Sequence, residues 1–481
     1  MILLHDGAAG RGSGQWQTEK SKPRRGTFPG TASAYENTSV GYLYVIVYNI
    51  IIAHSSQGRK RAASAKKFAL LKGGTILYND TDTYAAGFRE GPMYSGLARE
   101  PAPQNRREIM RKDRYKVVIV GFAHVHINDV AGHFYGHPRI DLCGAADMPP
   151  AVPERRSDAV YTRAWNVEYC RKKYGVKLYG DWKQMLDETK PGLCVVSSEN
   201  CFHVQITGEC ARRGIGVCIE KPMAATLSDA VGMYRAVRAY GTFCMVNWPI
   251  TWNAGLQTVK RMVDEGCIGD IIEVKTRMGH TGPLGPGAKH HIDETAEPMT
   301  EIEKCSTWWH QTAAGGGAMA DYCCYGSIVS CWMAGKSAVA AMGMRINSIH
   351  ALADAEDNAA MLVRFPDCYA VLEGTWTTYN HTFKSPIVYG TKGALVGDYK
   401  TGKVQFYRTD GTVEDIENDV LPEHLKDIVC AYVHHMDTGE PTPYTTRPEF
   451  NLDAMAVLDA GIRSAGSGKM EPVNNCHWQI G

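Results

Sequence analysis

The sequence lacks a strong net charge and a long hydrophobic run. Its 481 residues carry a formal net charge of +1, which argues against nucleic acid or an anionic membrane surface as the main partner. The most apolar run, residues 42–53, is too short to span a bilayer and contains Asn49. The first residues have no basic, apolar pattern typical of a signal peptide. We therefore expect a cytoplasmic protein with no nucleic-acid or membrane partner.

Cysteine is missing before Cys143, and the 15 cysteines of the chain include no metal-type pair separated by two residues. An odd number of cysteines with no such spacing predicts free thiols in a reducing compartment rather than a disulfide framework. Histidines are frequent between residues 280 and 310, but their spacing matches no standard zinc site. We therefore expect no bound metal.

Residues 1–109 differ in composition from the rest of the chain. They carry more Lys and Arg than Asp and Glu, and they show little sustained periodicity, so they cannot easily bury a core. Met110 stands just before a strong strand pattern. We interpret residues 1–109 as a disordered or non-native extension, with a basic interaction tail as the alternative.

Apolar strand patterns alternate with amphipathic helical patterns over residues 110–248. The strand patterns are YKVVIVGF, RIDLCGAAD, GLCVVSSEN, GVCIEKP and FCMVNWP. This alternation predicts an α/β domain with a doubly wound parallel sheet, the Rossmann dinucleotide-binding type. Longer strand patterns follow over residues 249–481, including a hairpin with a Pro-Asp turn. They predict an α+β domain with a large, mostly antiparallel sheet, for substrate binding and oligomerisation.

The turn after the first strand, GFAHVH, is a partial match to the dinucleotide-binding fingerprint. Gly121 supplies the first glycine, whereas Ala123 and His126 replace the other two small residues. The second strand ends in Asp147, where an acid binds the adenosine ribose hydroxyls and disfavours a 2′-phosphate. The pattern predicts NAD as the cofactor rather than NADP. The alternative is a βαβ unit with an ordinary turn and a surface aspartate.

Four further motifs resemble, in order, those of the glucose–fructose oxidoreductase / inositol dehydrogenase / MocA family. They are SENCFH from Ser198 to His203, Glu220-Lys221-Pro222, Asn247, and GGGAMADYCCY from Gly315 to Tyr325. The resemblance covers about residues 115–469. It implies an NAD(H)-dependent oxidoreductase acting on a hydroxyl of a sugar, polyol or glycoside, assembled as a homodimer or homotetramer.

The resemblance also implies roles for individual residues. Lys221 would reach the nicotinamide and stabilise the oxyanion of the substrate, and Asp321 would hydrogen-bond the substrate. Tyr325 stands where most members carry histidine, and we expect Lys221 to lower its pKa so that it takes the hydroxyl proton. In the alternative, Tyr325 is a core aromatic and His310 handles the proton. Cofactor contacts are expected from Gly121, Ala123, His124, Asp147, Ser198, Asn200, His203, Glu220, Lys221 and Asn247.

The substrate side is expected in two segments of the second domain, residues 279–291 and 305–317. Flat aromatic faces beside hydrogen-bond donors suit a sugar ring, so we expect substrate contacts from Lys221, His280, Trp309, His310 and Asp321. Core packing is the alternative for the tryptophans. Two other functions remain open: an NAD-dependent glycosidase that works by transient oxidation and elimination, and a non-catalytic protein that senses NAD or sugar.

Overall fold

The computed structural model describes residues 114–284, 297–378 and 383–475, and the backbone of two short strands nearer the N-terminus. Those strands, β1 (Ala69–Leu70) and β2 (Ile76–Leu77), pair antiparallel within a compact unit that spans Met1–Phe88. The remainder of the predicted 1–109 extension, including the apolar run 42–53, lies outside the described residues. The second unit, Arg89–Gly481, contains all the elements that follow.

A six-stranded, fully parallel sheet with helices between its strands confirms the predicted doubly wound domain. The strand order is β5-β4-β3-β6-β7-β8, the order of a dinucleotide-binding sheet. Its elements are β3 (Tyr115–Val120), α1 (Ile127–Gly136), β4 (Ile140–Ala146), α2 (Arg163–Tyr174), β5 (Leu178–Tyr179), α3 (Trp182–Thr189), β6 (Leu193–Val196), α4 (His203–Arg212), β7 (Gly216–Glu220), α5 (Leu227–Tyr240) and β8 (Cys244–Asn247).

The strand order reverses between β3 and β6, and this reversal positions the site. Strands β6 and β7 are buried along their whole length, because helices cover both faces of a parallel sheet. Their apolar side chains form the core, and polar residues begin only where the strands end. Ligands of such sheets bind beyond those carboxyl ends, at the point of reversal.

The second sheet has nine strands in the order β16-β15-β14-β13-β9-β12-β11-β10-β17, and only the β9–β12 pair is parallel. This confirms the predicted, mostly antiparallel sheet. The elements are α6 (Ala254–Asp264), β9 (Ile271–Gly279), α7 (Glu301–Cys305), α8 (Cys324–Ala334), β10 (Ala340–Ile346), β11 (Asn358–Arg364), β12 (Tyr369–Thr375), β13 (Ile387–Gly390), β14 (Gly393–Gly397), β15 (Val404–Arg408), β16 (Val413–Ile416), α9 (Ile428–Thr438), α10 (Pro448–Ser467) and β17 (Glu471–Pro472).

Helices cover one face of the nine-stranded sheet. Gly343 of β10 lies so close to Gly461 of α10 that a Cβ on Gly343 would sit 2.1 Å from the Gly461 carbonyl oxygen. Helix α9 instead returns to the parallel sheet, where Tyr432 packs edge-on against Tyr115 and Phe243. None of the helices in the described ranges is long and apolar enough to cross a membrane.

Candidate active site

The turn that follows β3 requires glycine at its first position. Gly121 has φ +93°, and a Cβ there would sit 2.4 Å from the backbone nitrogen of Ser198, which opens the loop after β6. The turn is held on its other side by Asp147, whose Oδ1 accepts a hydrogen bond from the Phe122 N–H at 3.0 Å. At Ala123 the carbonyl accepts a hydrogen bond from the Trp308 indole at 2.9 Å. The turn therefore touches three separate segments.

Asp147 is bound by an arginine that the sequence reading missed. The Arg163 guanidinium donates to Asp147 Oδ1 at 2.8 Å and also pairs with the fully buried Glu199. Glu154 lies 3.7 Å from the same guanidinium, and burial raises the pKa of Glu154 to about 6. Arg163 sits in the segment RAWNVEY, which carries no motif. The acid predicted to bind ribose therefore has a cation beside it.

Three residues predicted to bind the cofactor each keep one buried polar atom without a hydrogen-bond partner among the described residues. These atoms are His124 Nε2, Asn200 Oδ1 and His203 Nε2. Asn200 uses its amide N–H on the Gly315 carbonyl at 2.8 Å, and His203 Nδ1 contacts the Met223 carbonyl at 3.1 Å. Burial lowers the pKa of both histidines, so they are neutral. Unpaired buried polar atoms are costly, and a polar ligand would satisfy them.

Glu220 and Asn247 form a network at the ends of β7 and β8. Glu220 is buried, and its two oxygens contact His126 Nδ1 at 3.0 Å and the Asn247 amide at 2.5 Å. The two residues face each other in the register of the sheet. The peptide bond between Lys221 and Pro222 is cis. Glu220 is therefore fully occupied by neighbouring side chains, as a positioning residue would be.

Lys221 and Asp321 form a buried ion pair between the two sheets. The ammonium donates to Asp321 Oδ1 at 2.5 Å and to the Asp321 carbonyl at 3.2 Å, and Asp321 Oδ2 accepts from the Trp376 indole at 2.9 Å. Burial disfavours the charged form of both groups, but the attraction between the ammonium and the carboxylate outweighs this effect. The pKa of Asp321 is lowered and that of Lys221 is raised. Both groups are therefore charged at neutral pH.

Asp321 lies in a π-helical turn, Met319–Cys323, that opens directly into α8. Such single π turns occur mostly at functional sites. The GGG motif, residues 315–317, precedes this turn. Gly317 has φ +108°, and a Cβ at this position would contact Glu356. The side chains of Asp321 and Tyr325 both face Lys221, as their spacing predicted.

The expectation that Lys221 lowers the pKa of Tyr325 is wrong. Burial raises the pKa of Tyr325 well above its ordinary value, and neighbouring phenol, thiol and carboxylate groups raise it further. The Lys221 ammonium stands over the tyrosine ring, 4.8 Å from its centroid, and the ring packs edge-on against Trp248. A cation over the ring face interacts with the π-system rather than with the phenolic oxygen.

Five of the predicted site residues line one small cavity: His124, Asn200, Lys221, Trp309 and Asp321. Pro222, Trp308 and the glycines 315–317 complete its wall. The two tryptophan rings stack with their centroids 3.9 Å apart, and His124 contacts the Trp309 ring edge-on at 4.7 Å. The cavity is therefore aromatic on one side and charged on the other.

Two predicted substrate residues, His280 and His310, are not among the residues that line the cavity. His310 is buried, with its ring against Trp376 and its Nδ1 3.2 Å from the Thr307 hydroxyl. Burial lowers the pKa of His310 to about 3, so it stays neutral. His280 packs edge-on against Tyr322 at the end of β9. The histidines at 290 and 291 lie outside the described residues.

The cysteines in the described ranges are all free thiols, as the sequence predicts. Most of them are buried, and burial raises the pKa of the thiols that flank the site, Cys323 and Cys324. Neither is ionised at neutral pH. The Cys323 side chain is packed against Gly374 of β12.

Comparison with known proteins gives two family-model matches that together cover more than half of the chain. Residues 115–248 match the model described as "Oxidoreductase family, NAD-binding Rossmann fold", and residues 256–396 match the "GFO/IDH/MocA C-terminal domain". The first match ends where β8 ends. The second begins inside α6 and ends in β14, so each match falls on one of the two sheets.

Individual relatives are distant. Levoglucosan dehydrogenase of Pseudarthrobacter phenanthrenivorans is 20% identical over 307 residues, which cover 57% of this chain and 74% of that protein. The scyllo-inositol 2-dehydrogenase (NADP(+)) IolW of Bacillus subtilis is 30% identical over 208 residues, 40% of this chain and 53% of that one. The crystal structure of aldose-aldose oxidoreductase from Caulobacter crescentus superposes with a TM-score of 0.59 at 19% identity, covering 75% of this chain and 99% of its own.

Proposed function

Because this chain belongs to the Gfo/Idh/MocA family of NAD-binding oxidoreductases, we propose that it transfers a hydride between NAD and a hydroxyl-bearing carbon of a sugar, polyol or glycoside. It is an oxidoreductase of the sugar and polyol dehydrogenase type, and its cofactor is NAD. The observation that carries the proposal is the buried Lys221–Asp321 ion pair at the carboxyl end of β7. It lies in the wall of the same cavity as His124 and Asn200.

The residues around the turn fit a dinucleotide. Gly121 allows the tight turn after β3 to lie against the loop after β6, which is the role of the first glycine in a dinucleotide-binding turn. Asp147 would bind the adenosine ribose, and Arg163 holds its carboxylate in place. The unpaired atoms of His124, Asn200 and His203 would hydrogen-bond the remainder of the cofactor. When bound, NAD supplies the carbon centre that accepts or returns the hydride.

The ion pair would act on the substrate hydroxyl. As the carbon loses its hydride the oxygen must lose its proton, and a fixed ammonium stabilises the negative charge that develops there. Lys221 is held by Asp321 with its charge intact. Asp321 is the ionised carboxylate next to that ammonium, so we assign it as the acceptor of the hydroxyl proton, with the substrate hydroxyl replacing Lys221 or Trp376 at one carboxylate oxygen. Tyr325, whose phenol stays protonated, would support the Lys221 ammonium with its ring face.

A cyclic, polyhydroxylated substrate matches the chemistry of the residues that line the cavity. Trp309 presents an aromatic face, which suits the C–H face of a sugar or inositol ring, and the charged pair suits its hydroxyl edge. The relatives named above act on levoglucosan and scyllo-inositol, which are both cyclic polyols or their anhydrides. These two points favour a carbohydrate or cyclitol over a linear hydroxy acid.

We also propose that the chain forms a homodimer or homotetramer through the uncovered face of its nine-stranded sheet. Met342, Met344 and Ile346 of β10 are 45%, 68% and 58% exposed, and Leu362 of β11, paired with Met342, is 52% exposed. Ala341 of β10 and Met361 and Val363 of β11 are buried, and Gly343 lies against Gly461 of α10. Strands whose side chains are apolar on both faces of the sheet are typical of a sheet that is covered on both sides. A second copy of the chain would cover this face.

The reaction is tested by following the near-ultraviolet absorbance of reduced nicotinamide while the full chain and NAD are offered sugars, inositols and aryl glycosides. Growth of the band with a cyclic polyol supports the proposal and identifies the substrate class. Release of an aglycone with no net band would instead support the glycosidase. If NAD binds and no compound reacts, the sensor alternative replaces the proposal.

A further inference from the structure

A group of metal-type ligands lies outside the cavity, behind the segment that carries the two tryptophans. Glu301 and Cys305 are four residues apart on α7, and His350 approaches them from the loop after β10. Glu301 Oε1 is 2.9 Å from His350 Nδ1 and 3.3 Å from Cys305 Sγ. One ligand atom from each residue lies within 4.8 Å of the others.

We propose that Glu301, Cys305 and His350 bind a divalent transition metal such as Zn²⁺, as a structural site. Carboxylate, thiolate and imidazole are the ligand types of zinc, and three protein ligands with a water form a tetrahedral set. Ligand atoms around tetrahedral zinc are roughly 3.2–3.7 Å apart from the usual bond lengths, so the observed spacing needs only small side-chain shifts. The two negative charges of thiolate and carboxylate neutralise the cation.

The ligands are held by a supporting layer of hydrogen bonds. Asp357 accepts backbone N–H bonds from Ser348, Ile349 and His350 at 2.7–3.0 Å, which fixes the turn that carries the imidazole. Thr300 and Glu303 form a capping box that fixes the start of α7. Fixed ligand positions of this kind are what a metal site needs, because the outer layer orients the ligands.

A second observation links the group to the cavity. The His310 ring lies 4.9 Å from the His350 ring at 74°, and His310 Nε2 is buried with no hydrogen-bond partner among the described residues. His310 in turn contacts Trp376, which donates to Asp321. A metal at His350 would therefore fix the wall on which His310, Trp376 and Asp321 are mounted.

Two other readings of the group fit less well. A reactive thiol needs an ionised sulfur, whereas burial and the neighbouring Glu301 raise the pKa of Cys305 to about 12. His124, His126 and Glu220 also lie close enough to bind a cation. That group, however, includes His124, which lines the cavity already described, and Glu220, which also accepts a hydrogen bond from the Asn247 amide.

The test removes metal from the full chain with a chelator and adds Co²⁺, whose thiolate-to-cobalt charge-transfer band reports coordination by cysteine. We expect one equivalent of Co²⁺ and this band in the wild type and in Cys368→Ser, which removes a half-buried thiol from the β11–β12 hairpin. Cys305→Ser should abolish the band. Glu301→Gln, at a half-exposed position, and His350→Asn should weaken binding by roughly 10–100-fold or more.

Several outcomes would overturn the site. They are absence of stoichiometric uptake by the wild type, a charge-transfer band that survives in Cys305→Ser, or metal that is lost in His126→Gln and kept in Glu301→Gln. The first outcome would mean that the three side chains form a hydrogen-bonded triad only. If Cys305→Ser fails to fold, Glu301→Gln decides, with circular dichroism to show that its fold is intact. None of these results depends on the proposed oxidoreductase activity.

Discussion

At the scale of single residues, the account depends on which group near Lys221 takes the proton. Asp321 is ionised and in contact with the ammonium, whereas Tyr325 is a protonated phenol that presents its ring. Asp321→Asn keeps the shape and removes the charge, so we expect kcat to fall by about 10²–10⁴, the usual worth of general acid–base catalysis. Tyr325→Phe should leave kcat near that of the wild type. Steady-state kinetics measures kcat of both variants, with the substrate that the nicotinamide absorbance assay identifies.

The pH dependence provides the control. If Tyr325 does not titrate in the reaction, the profiles of kcat/KM against pH for the wild type and Tyr325→Phe have the same shape. The pKa of Asp321 is lowered, so its protonation removes activity only below the pH at which an ordinary aspartate titrates. A limb between pH 6 and about 10 that disappears in Tyr325→Phe would restore the tyrosine as the base.

The pairing of Asp147 with Arg163 leads to a second prediction for single residues, which concerns the preference for NAD over NADP. In Asp147→Ser the guanidinium loses one of its carboxylate partners at the end of β4, where a 2′-phosphate would lie. We expect the preference for NAD over NADP to fall by about tenfold or more, equivalent to about 1.4 kcal/mol. Asp187→Ser, which removes an exposed carboxylate on α3, should leave it unchanged. An unaltered preference for NAD over NADP in Asp147→Ser would show that Asp147 does not bind the adenosine ribose.

At the scale of elements, the β3–α1 turn is the most constrained segment of the cofactor site. Gly121→Ala places a methyl group against the Ser198 backbone in a left-handed conformation. Such strain costs about 1–3 kcal/mol, so we expect NAD affinity to fall by about tenfold, equivalent to about 1.4 kcal/mol. Gly175→Ala is the matched control: φ is +61° at the end of α2, and no atom lies within 4 Å of the added Cβ. It should cost about 1–2 kcal/mol of stability without changing the dissociation constant of NAD. Calorimetric titration compares the two.

The elements also show how far the sequence could be read. The five strand patterns before residue 248 correspond to β3, β4, β6, β7 and β8. They could be predicted because continuous apolar runs between helices are typical of the buried strands of a parallel sheet. Strand β5 has two residues, one of them exposed, and gives no periodic signal. Strands β14–β16 are short, and β16 is almost wholly exposed, so their pairing depends on neighbours distant in sequence.

The residues of the site that belong to motifs could be predicted from the sequence, whereas the side chains that hydrogen-bond to them could not. Lys221 and Asp321 could be placed together because their motifs resemble those of a family. The Arg163–Asp147 pair, the Trp376–Asp321 hydrogen bond and the Trp308 contact with the turn join residues 16, 55 and 185 positions apart. Such contacts arise from the packing of segments that are separate in the sequence, within each domain and, for Trp308, between the two domains. The ring-face contact of Lys221 with Tyr325 likewise depends on side-chain direction, and spacing alone fixes only the shared face.

At the scale of the whole molecule, the exposed apolar face of the nine-stranded sheet carries the proposal of an oligomer. We expect the wild type to be a dimer or tetramer by light scattering and Met344→Glu/Leu362→Glu to be a monomer, because buried unpaired carboxylates are costly. Val420→Glu is the control, since Val420 is 97% exposed and lies off the sheet. A monomeric wild type, or a double variant that keeps its assembly, would contradict this interface.

The central claim for the whole molecule is that the Lys221–Asp321 pair performs chemistry on a substrate held beside NAD. The most direct measurement compares turnover and NAD affinity in the wild type and in Lys221→Ala, with circular dichroism to verify folding, since breaking a buried ion pair costs about 3–5 kcal/mol. We predict that turnover falls by about 10²–10³ or more, as expected for loss of an oxyanion-stabilising group, while NAD binding remains detectable. Full activity in Lys221→Ala would contradict the account.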